Sequence, residues 1–310
     1  MIKVNDLCMS YGSRVILDKI SFDVKDKSIT GFLGVNGAGK STTMNILTGY
    51  LVPRSGEVLI CDKSMLREPI EAKKHLGYLP EIPPVYKDMR IEEYLTYVAE
   101  LKKVKNKRDE VARVLDLLDI DDRRHDFIRK LSKGYCQRTG FAGALIGDPE
   151  VLILDEPLVG LDPAESKRTR ELLKVLKKDH CIFISSHILS EIEELCTDII
   201  MLKEGHIAID DSAKSISNNL NENQYRIQVK GDKDEINKIL INYNNIKSVS
   251  YIGETEPGVH EFSVTSKNSR DMRDSLFSYL VGKKYNVYSI VKQKASLEEV
   301  FISVSDKEEA

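Results

Sequence analysis

The sequence has 310 residues, which is enough for one large domain or for a large domain and a small one. Its 46 basic and 49 acidic side chains give a net charge of −3, so a basic face for binding nucleic acid is not expected. With 41% hydrophobic residues, 18 Gly and 9 Pro, the chain can bury a core and is neither disordered nor fibrous.

Membrane spans and export signals are not expected. No uncharged apolar run approaches the ~20 residues that a membrane-spanning helix requires, and the first residues lack the apolar stretch of a secretory signal. The five cysteines are scattered and never stand at metal-binding spacing. We therefore expect a cytoplasmic protein with reduced cysteines.

The first strands are marked by alternation of apolar and polar residues. Ile20, Phe22 and Val24 follow this pattern, which predicts an antiparallel β subdomain with one solvated face at the start of the chain. Continuous apolar runs, typical of parallel strands covered by helices on both faces, follow at 29–33, 151–154, 181–184 and 198–202. Leucines at helical spacing in residues 163–178 complete an alternation of strands and helices, so the predicted fold class is α/β.

Two changes of pattern divide the chain. Residues 91–147 show helical patterns and no convincing strand, which predicts a helical insert at about 85–147. Residues 216–224 are rich in Asn and lack periodicity, which is typical of a linker. We therefore predict a first domain over 1–215 and an accessory domain over 225–310.

The accessory domain has its own succession of elements. From Tyr225 onward the patterns predict strand, helix, strand, strand, helix and strand, which is the order of a small α+β domain with a ferredoxin-like fold. Ser296 and Glu299 then form a capping box that opens a last short helix. Two roles remain open for this domain: it stabilises a dimer, or it senses a small ligand.

A glycine-rich loop is the strongest chemical signal. Residues 34–42 read GVNGAGKST between an apolar strand and a helical stretch, as the pattern G-x-x-x-x-G-K-[ST] requires. Such a loop points backbone N–H groups and a helix N-terminus at phosphate oxygens. Lys40 is expected to neutralise the β- and γ-phosphates of ATP, and the Ser41 hydroxyl to bind Mg²⁺. The predicted nucleotide-binding residues here are Gly34, Asn36, Gly37, Ala38, Gly39, Lys40, Ser41 and Thr42.

Two adjacent carboxylates follow a later apolar strand. Asp155 and Glu156 come directly after residues 151–154. Asp155 is expected to bind the metal, directly or through water, and Glu156 to orient and deprotonate the attacking water. The alternative is a solvated loop start without a catalytic role.

Further segments follow in a fixed order: LSKGYCQR at 131–138, LDEP at 154–157, GLDP at 160–163 and SSH at 185–187. Together with the glycine-rich loop, they make about the first 215 residues resemble an ABC-type ATPase, the nucleotide-binding subunit of an ATP-binding-cassette transporter. The LSKGY segment, LPE at 79–81 and ASLEEVF at 295–301 are similar to exporter-type subunits of drug, sodium and gliding-motility systems.

The resemblance implies a head-to-tail dimer, formed by two copies or by this chain and a paralogue, with two ATP molecules between the chains. Ser132 and Gly134 match the signature that contacts the nucleotide of the partner chain, although Ser132 is also a good helix N-cap. Asp162 matches the loop that crosses the dimer interface. Followed by Pro163, it too has the features of a helix start.

Three other positions receive roles from the resemblance. His187 matches the switch histidine that contacts the γ-phosphate, and Tyr11 stands where the family places a ring on adenine. Surface or core positions are the alternatives for both residues. Glu81 stands where the family usually has Gln; a carboxylate there can bind Mg²⁺ but would repel phosphate.

The expected function is ATP hydrolysis beneath a separate integral membrane permease, and the resemblance to exporter-type subunits implies export. Lys40, Glu156 and His187 are the expected catalytic residues, and the inner face of the cell membrane is the expected location. The rival is an ABC ATPase that acts on ribosomes or DNA. Members of that kind carry two cassettes or a long coiled coil, whereas this chain has one glycine-rich loop and no sustained heptads.

Overall fold

The computed structural model contains two compact units, Met1–Ala213 and Lys214–Ala310. It describes residues 1–35, 37–213, 215–216, 224–268 and 270–293. Asn36, most of the predicted linker and the predicted capping box at Ser296 and Glu299 lie outside the described residues.

An antiparallel sheet opens the first unit, as predicted. Strands β1 (Ile2–Tyr11) and β2 (Arg14–Val24) form a hairpin, and β1 also pairs with β4 (Ser55–Ile60). The short strand β5 (Lys63–Ser64) completes the order β2-β1-β4-β5. Buried and exposed residues alternate along β2, because one face of the strand packs on the core.

The second sheet has six strands in the order β10-β9-β3-β8-β7-β6. These strands are β3 (Ile29–Gly34), β6 (Leu76–Leu79), β7 (Val151–Asp155), β8 (Cys181–Ser185), β9 (Asp198–Lys203) and β10 (His206–Ser212). The first five are parallel, and β10 is antiparallel to β9. The four continuous apolar runs of the sequence form β3, β7, β8 and β9, so the prediction of buried parallel strands is confirmed. Since carboxyl ends of parallel strands share one edge, β3, β7 and β8 deliver their following residues to one place.

Helices of the first unit cover the parallel sheet and form the insert. They are α1 (Lys40–Leu47), α2 (Pro69–Lys74), α3 (Ile91–Leu101), α4 (Lys107–Leu117), α5 (Lys133–Leu145), α6 (Pro163–Leu176) and α7 (Leu189–Leu195). Of these, α3, α4 and α5 occupy the region of the predicted helical insert. The two sheets share a core in which Phe22 of β2 lies within 6 Å of Phe32 of β3 and of Phe183 of β8, measured between ring centroids.

The second unit has the predicted succession of elements. They are β11 (Gln224–Lys230), α8 (Lys233–Ile241), β12 (Ile246–Glu256), β13 (Val259–Ser266), α9 (Arg273–Gly282) and β14 (Asn286–Lys292). Neighbouring strands are antiparallel in the order β12-β13-β11-β14. Its core contains Tyr225 and Phe262, both fully buried, and the Tyr225 hydroxyl accepts a hydrogen bond from the Met272 backbone N–H at 3.3 Å.

Within the described ranges, no helix is both long and apolar enough to cross a membrane. All five cysteines are free. Cys181 and Cys196 are buried, and the other three are partly buried.

Candidate nucleotide site

The glycine-rich loop connects β3 to α1. Gly37 and Gly39 have φ values of +85° and +113°, a region that side chains rarely occupy. A Cβ on Gly39 would also lie 2.7 Å from Leu17 Cδ2, so both backbone conformation and space require glycine there. Lys40 Nζ donates hydrogen bonds to the carbonyl oxygens of Gly34 at 2.6 Å and Val35 at 3.3 Å. The loop therefore wraps around the lysine amine.

A cavity of about 480 Å³ opens beside this loop. Its walls come from the β1–β2 hairpin, the loop and the ends of β6, β7 and β8, and its lining residues are Arg14, Ile16, Gly37, Gly39, Lys40, Ser41, Thr42, Glu81, Asp155, Glu156, Val159 and His187. The structure thus brings most of the predicted site residues of one chain together. Of the loop residues, Ala38 and Gly34 are buried and do not line the cavity in the described part of the chain.

Ser185 holds the two carboxylate residues in place. Its hydroxyl donates to Asp155 Oδ1 at 2.5 Å and accepts from the Glu156 backbone N–H at 2.9 Å. Asp155 and Ser185 are register partners in the parallel strands β7 and β8, which explains the close approach. Sequence reasoning quoted this serine within SSH but gave it no role. The available signal was a polar residue at the end of an otherwise apolar strand.

Glu156 has a left-handed backbone with φ of 48°. A non-glycine residue in this conformation stores strain, and such strain is concentrated at functional sites. Glu156 Oε2 lies 2.9 Å from His187 Nδ1. The Glu156 side chain is 12% exposed and that of His187 is 53% exposed, so the carboxylate lies within the cavity wall and the imidazole at its mouth.

Electrostatics within the cavity act on Lys40 in opposite directions. Burial lowers the pKa of its amine, while the nearby carboxylates of Glu156 and Asp155 raise it and oppose that effect. A cation placed between a glycine-rich loop and two carboxylates is suited to a polyanionic ligand that is accompanied by a metal cation.

Comparisons with known proteins identify the family. The family model described as ABC transporter matches residues 17–159. The chain is 32% identical to the ABC transporter ATP-binding protein YhcH of Bacillus subtilis, over 98% of this chain and 96% of that protein. This chain belongs to the ABC transporter family, as an ATP-binding subunit. It is also 38% identical to the bacitracin transport ATP-binding protein BcrA of Bacillus licheniformis, over 67% of this chain and 68% of BcrA.

A solved structure gives the same assignment. The structure of cbiO1 from Clostridium perfringens, part of the ABC transporter complex cbiONQ, superimposes with a TM-score of 0.64 at 27% identity, covering 69% of this chain and 89% of cbiO1. The first unit is therefore an ABC ATPase cassette, and the chain is an ATPase. The predicted family, fold class and enzyme activity are confirmed.

The residues that the sequence matched to the signature and to the interface loop lie at two other helix starts. Ser132 is the N-cap of α5, where its hydroxyl accepts from the Tyr135 backbone N–H at 3.3 Å. Asp162 caps α6 by accepting from the backbone N–H groups of Ala164 and Glu165 at 2.9 and 3.0 Å. Of the residues that the structure describes, Ser132, Gly134 and Asp162 do not line the cavity. The capping alternatives from the sequence are thus observed.

Tyr11 and Glu81 differ in their relation to the cavity. Glu81 lines it, whereas Tyr11 is 52% exposed and is not among its described lining residues. Tyr11 pairs with Arg14 across the hairpin turn, and Arg14 together with Ile16 does line the cavity. Sequence reasoning missed Arg14 and Ile16, because nothing in their local pattern distinguishes them from other hairpin residues.

Proposed function

We propose that this ABC subunit hydrolyses ATP by in-line attack of water on the γ-phosphate, with Glu156 as the general base. The observation that carries the proposal is the 2.9 Å contact between Glu156 Oε2 and His187 Nδ1 in the cavity that also holds Lys40. A general base must lie within hydrogen-bond reach of the water it deprotonates, and Glu156 faces the cavity where the phosphates would lie.

Lys40 and the backbone N–H groups of residues 37–42 would hold the phosphates. The Lys40 amine now donates to two loop carbonyls, and a phosphate oxygen would offer it a charged acceptor instead. His187 Nδ1 is engaged by Glu156, which leaves Nε2 as the nitrogen that can face the γ-phosphate. This arrangement links the position of the base to the presence of that phosphate.

The donor set fits Mg²⁺. Ser41, Asp155 and Glu81 line one cavity and supply the hard oxygen ligands that this ion prefers. No three acidic, His or Cys side chains of the described residues are close enough to form a complete metal site. Mg²⁺ usually keeps several waters and shares substrate phosphates, so it would need only a few oxygen ligands from the chain. When bound, the ion would neutralise developing negative charge, while the Ser185 hydrogen bond orients the Asp155 carboxylate.

Ser132, Gly134 and Asp162 would act across a head-to-tail dimer, since they lie at helix starts outside the cavity of their own chain. A helix N-terminus is suited to a phosphate anion. We further propose that the dimer works under an integral membrane permease, at the inner face of the cell membrane, and exports its substrate. The similarity to a bacitracin transport protein and to a part of the cbiONQ complex supports a transport role.

The direct test is the substitution Glu156→Gln, with Glu193→Gln on the exposed side of α7 as the matched control. ATP turnover should fall by about 10²–10⁴-fold in Glu156→Gln, while ATP still binds. The control should turn over ATP like the wild type. A Glu156→Gln protein as fast as the wild type would show that another group is the base.

Partner choice is tested by purification from membranes. The subunit should co-purify with an integral membrane protein and stimulate no ribosome-dependent activity. Recovery with ribosomes, and without a membrane protein, would favour the rival function of a ribosome-acting ATPase.

A further inference from the structure

A second cavity lies between the helical insert and α6. It has a volume of about 370 Å³, within the range of small-molecule sites. Six apolar residues form its walls: Leu117 and Leu118 at the end of α4, Phe141 of α5, Pro157 and Leu161 before α6, and Leu172 of α6. Two polar side chains, Gln137 of α5 and Thr169 of α6, also line it. It shares no lining residue with the nucleotide cavity in the described part of the chain.

The two polar side chains are buried without partners. Gln137 is 6% exposed and Thr169 is 9% exposed. Among the residues that the structure describes, neither side chain makes a hydrogen bond. Their polar atoms are not among the buried atoms that lack a partner, so water in the cavity can reach them. A ligand that displaces this water must replace its hydrogen bonds. Both groups therefore point to a ligand that can donate and accept hydrogen bonds.

Charges at the rim cancel. Arg138 donates to Glu165 Oε1 at 3.2 Å, and Arg168 lies 3.6 Å from Asp119 Oδ2. Arg138 is further fixed by donating to the backbone carbonyl of Asp119 at 2.8 Å. Both guanidinium groups are thus paired, while the exposed carboxylate of Glu171, which also lines the cavity, has no ion-pair partner among the described residues, so the rim disfavours an anionic ligand. A neutral ligand matches these surroundings.

We propose that this cavity binds a small neutral amphipathic molecule, with an apolar ring system against the leucine walls and an amide-like group at Gln137 and Thr169. Its walls come from the insert on one side and from α6 and the residues before it on the other. A bound molecule would hold these two parts at one spacing. Since α5 begins at Ser132, occupancy would alter the rate of ATP turnover.

The test uses 2-naphthamide as the probe. Because the protein contains no Trp, naphthyl fluorescence can be excited without tryptophan background. We expect saturable binding at one site. Thr169→Val removes the hydroxyl with little change of shape and should weaken binding roughly five- to tenfold. The control Thr96→Val, on α3 and outside the cavity, should bind like the wild type. Unsaturable binding, or equal affinity in Thr169→Val, would overturn the proposal.

A cavity-filling variant tests whether the probe binds in this cavity. Leu172→Phe should abolish probe binding, whereas Thr169→Val should keep the basal ATP turnover of the wild type, which shows that it is folded. Saturating 2-naphthamide should change turnover in the wild type and not in Leu172→Phe. If the probe binds Leu172→Phe as tightly as the wild type, the site lies elsewhere. If bound probe leaves wild-type turnover unchanged, the cavity does not regulate the ATPase.

Discussion

Two helix starts in the first unit are both expected to contact phosphate but differ in what surrounds them. The start of α1, after Gly39, opens into a cavity that already contains Asp155, Glu156 and His187. The start of α5, after Ser132, has a side-chain cap and no part in that cavity among the described residues. Both present backbone N–H groups that suit an anion.

This difference separates a site that is assembled by strand ends from one that, in the proposed dimer, would be completed by a second chain. Parallel strands place the residues after β3, β7 and β8 at one edge, so the α1 half of the site is complete within a chain. Helix α5, called the signature helix because Ser132 and Gly134 at its start match the family signature, belongs to the insert, and neither residue lines the nucleotide cavity in the described part of the chain. Evidence that the α1 start and the α5 start act on the same nucleotide within one chain would contradict this distinction.

The largest expected effect comes from mixing two variants, each of which inactivates one half of the proposed composite site. Lys40→Ala removes the amine that would hold the phosphates, and Ser132→Asp keeps a good N-cap but places a carboxylate where the partner's phosphate would lie. Lys40→Ala should lose ATP turnover by at least about 100-fold, because two charge-assisted hydrogen bonds to phosphate would contribute about 1.5–3 kcal/mol each. Ser132→Asp should lose a similar factor through repulsion between its carboxylate and the phosphate. An equal mixture should regain turnover, since a mixed dimer contains one intact composite site.

Wild-type chains diluted with either variant serve as the control for subunit exchange. A mixture that stays inactive, although exchange is observed, would place Lys40 and Ser132 in the same half of the site. The model of a shared site between two chains would then be wrong.

The next largest effect on ATP turnover is expected at Ser185, at the end of β8. Ser185→Ala leaves the Glu156 backbone N–H and the Asp155 carboxylate without their shared hydroxyl. We expect turnover to fall by about 10- to 100-fold and the free energy of unfolding to fall by about 1–3 kcal/mol. Steady-state kinetics and chemical denaturation measure the two quantities.

Ser28→Ala is the matched control, because Ser28 is also buried and its hydroxyl donates to the Lys25 carbonyl at 2.8 Å. It should lose comparable stability and keep its turnover. Equal turnover in both variants would mean that Ser185 supports the fold and not the carboxylates.

How much the sequence predicts also differs between the two regions. The glycine-rich loop and the residues after 151–154 were predicted because strict spacing and continuous apolar runs determine them locally. The register between β7 and β8, which brings Ser185 to Asp155, depends on which strands become neighbours, and no local pattern encodes this. Arg14 was missed for a similar reason, since the hairpin reaches the cavity only through tertiary packing.

A smaller effect distinguishes capping from phosphate contact. Ser132 caps α5 and Asp232 caps α8 of the second unit, where it accepts from the N–H groups of Asp234 and Glu235 at 3.0 Å each. Alanine at either position should destabilise its helix by about 1 kcal/mol, measured by amide hydrogen exchange. Only Ser132→Ala should also lower ATP turnover. If turnover is unchanged in Ser132→Ala, this side chain is a cap and nothing more.

The smallest expected effect is a change in stability that involves Lys102, which contacts the C-terminal end of α5. Lys102 Nζ donates to the carbonyl oxygens of Ala144 at 3.1 Å and Ile146 at 2.6 Å, and burial lowers the pKa of this amine to about 8. In the unfolded chain the pKa returns to its ordinary value near 10.5, so between these values the unfolded chain binds more protons. The contribution of Lys102 to the free energy of unfolding should therefore increase with pH above about 8.

Lys102→Met removes this titration. Lys103→Met is the control, because the amine of this neighbour makes no such carbonyl contacts among the described residues. Relative to Lys102→Met, the wild type should become more stable from pH 8 to 10, and the difference should be constant below pH 7. The gain should stay well below the roughly 1.4 kcal/mol per pH unit of a fully buried amine, because much of the Lys102 side chain is in contact with solvent. Groups common to both proteins cancel in this difference. Curves for wild type and Lys102→Met that stay parallel from pH 7 to 10 would mean that the amine keeps its ordinary pKa. In that case the end of α5 would be open to water, and the insert would hold the signature helix less firmly than the strand edge holds the carboxylates.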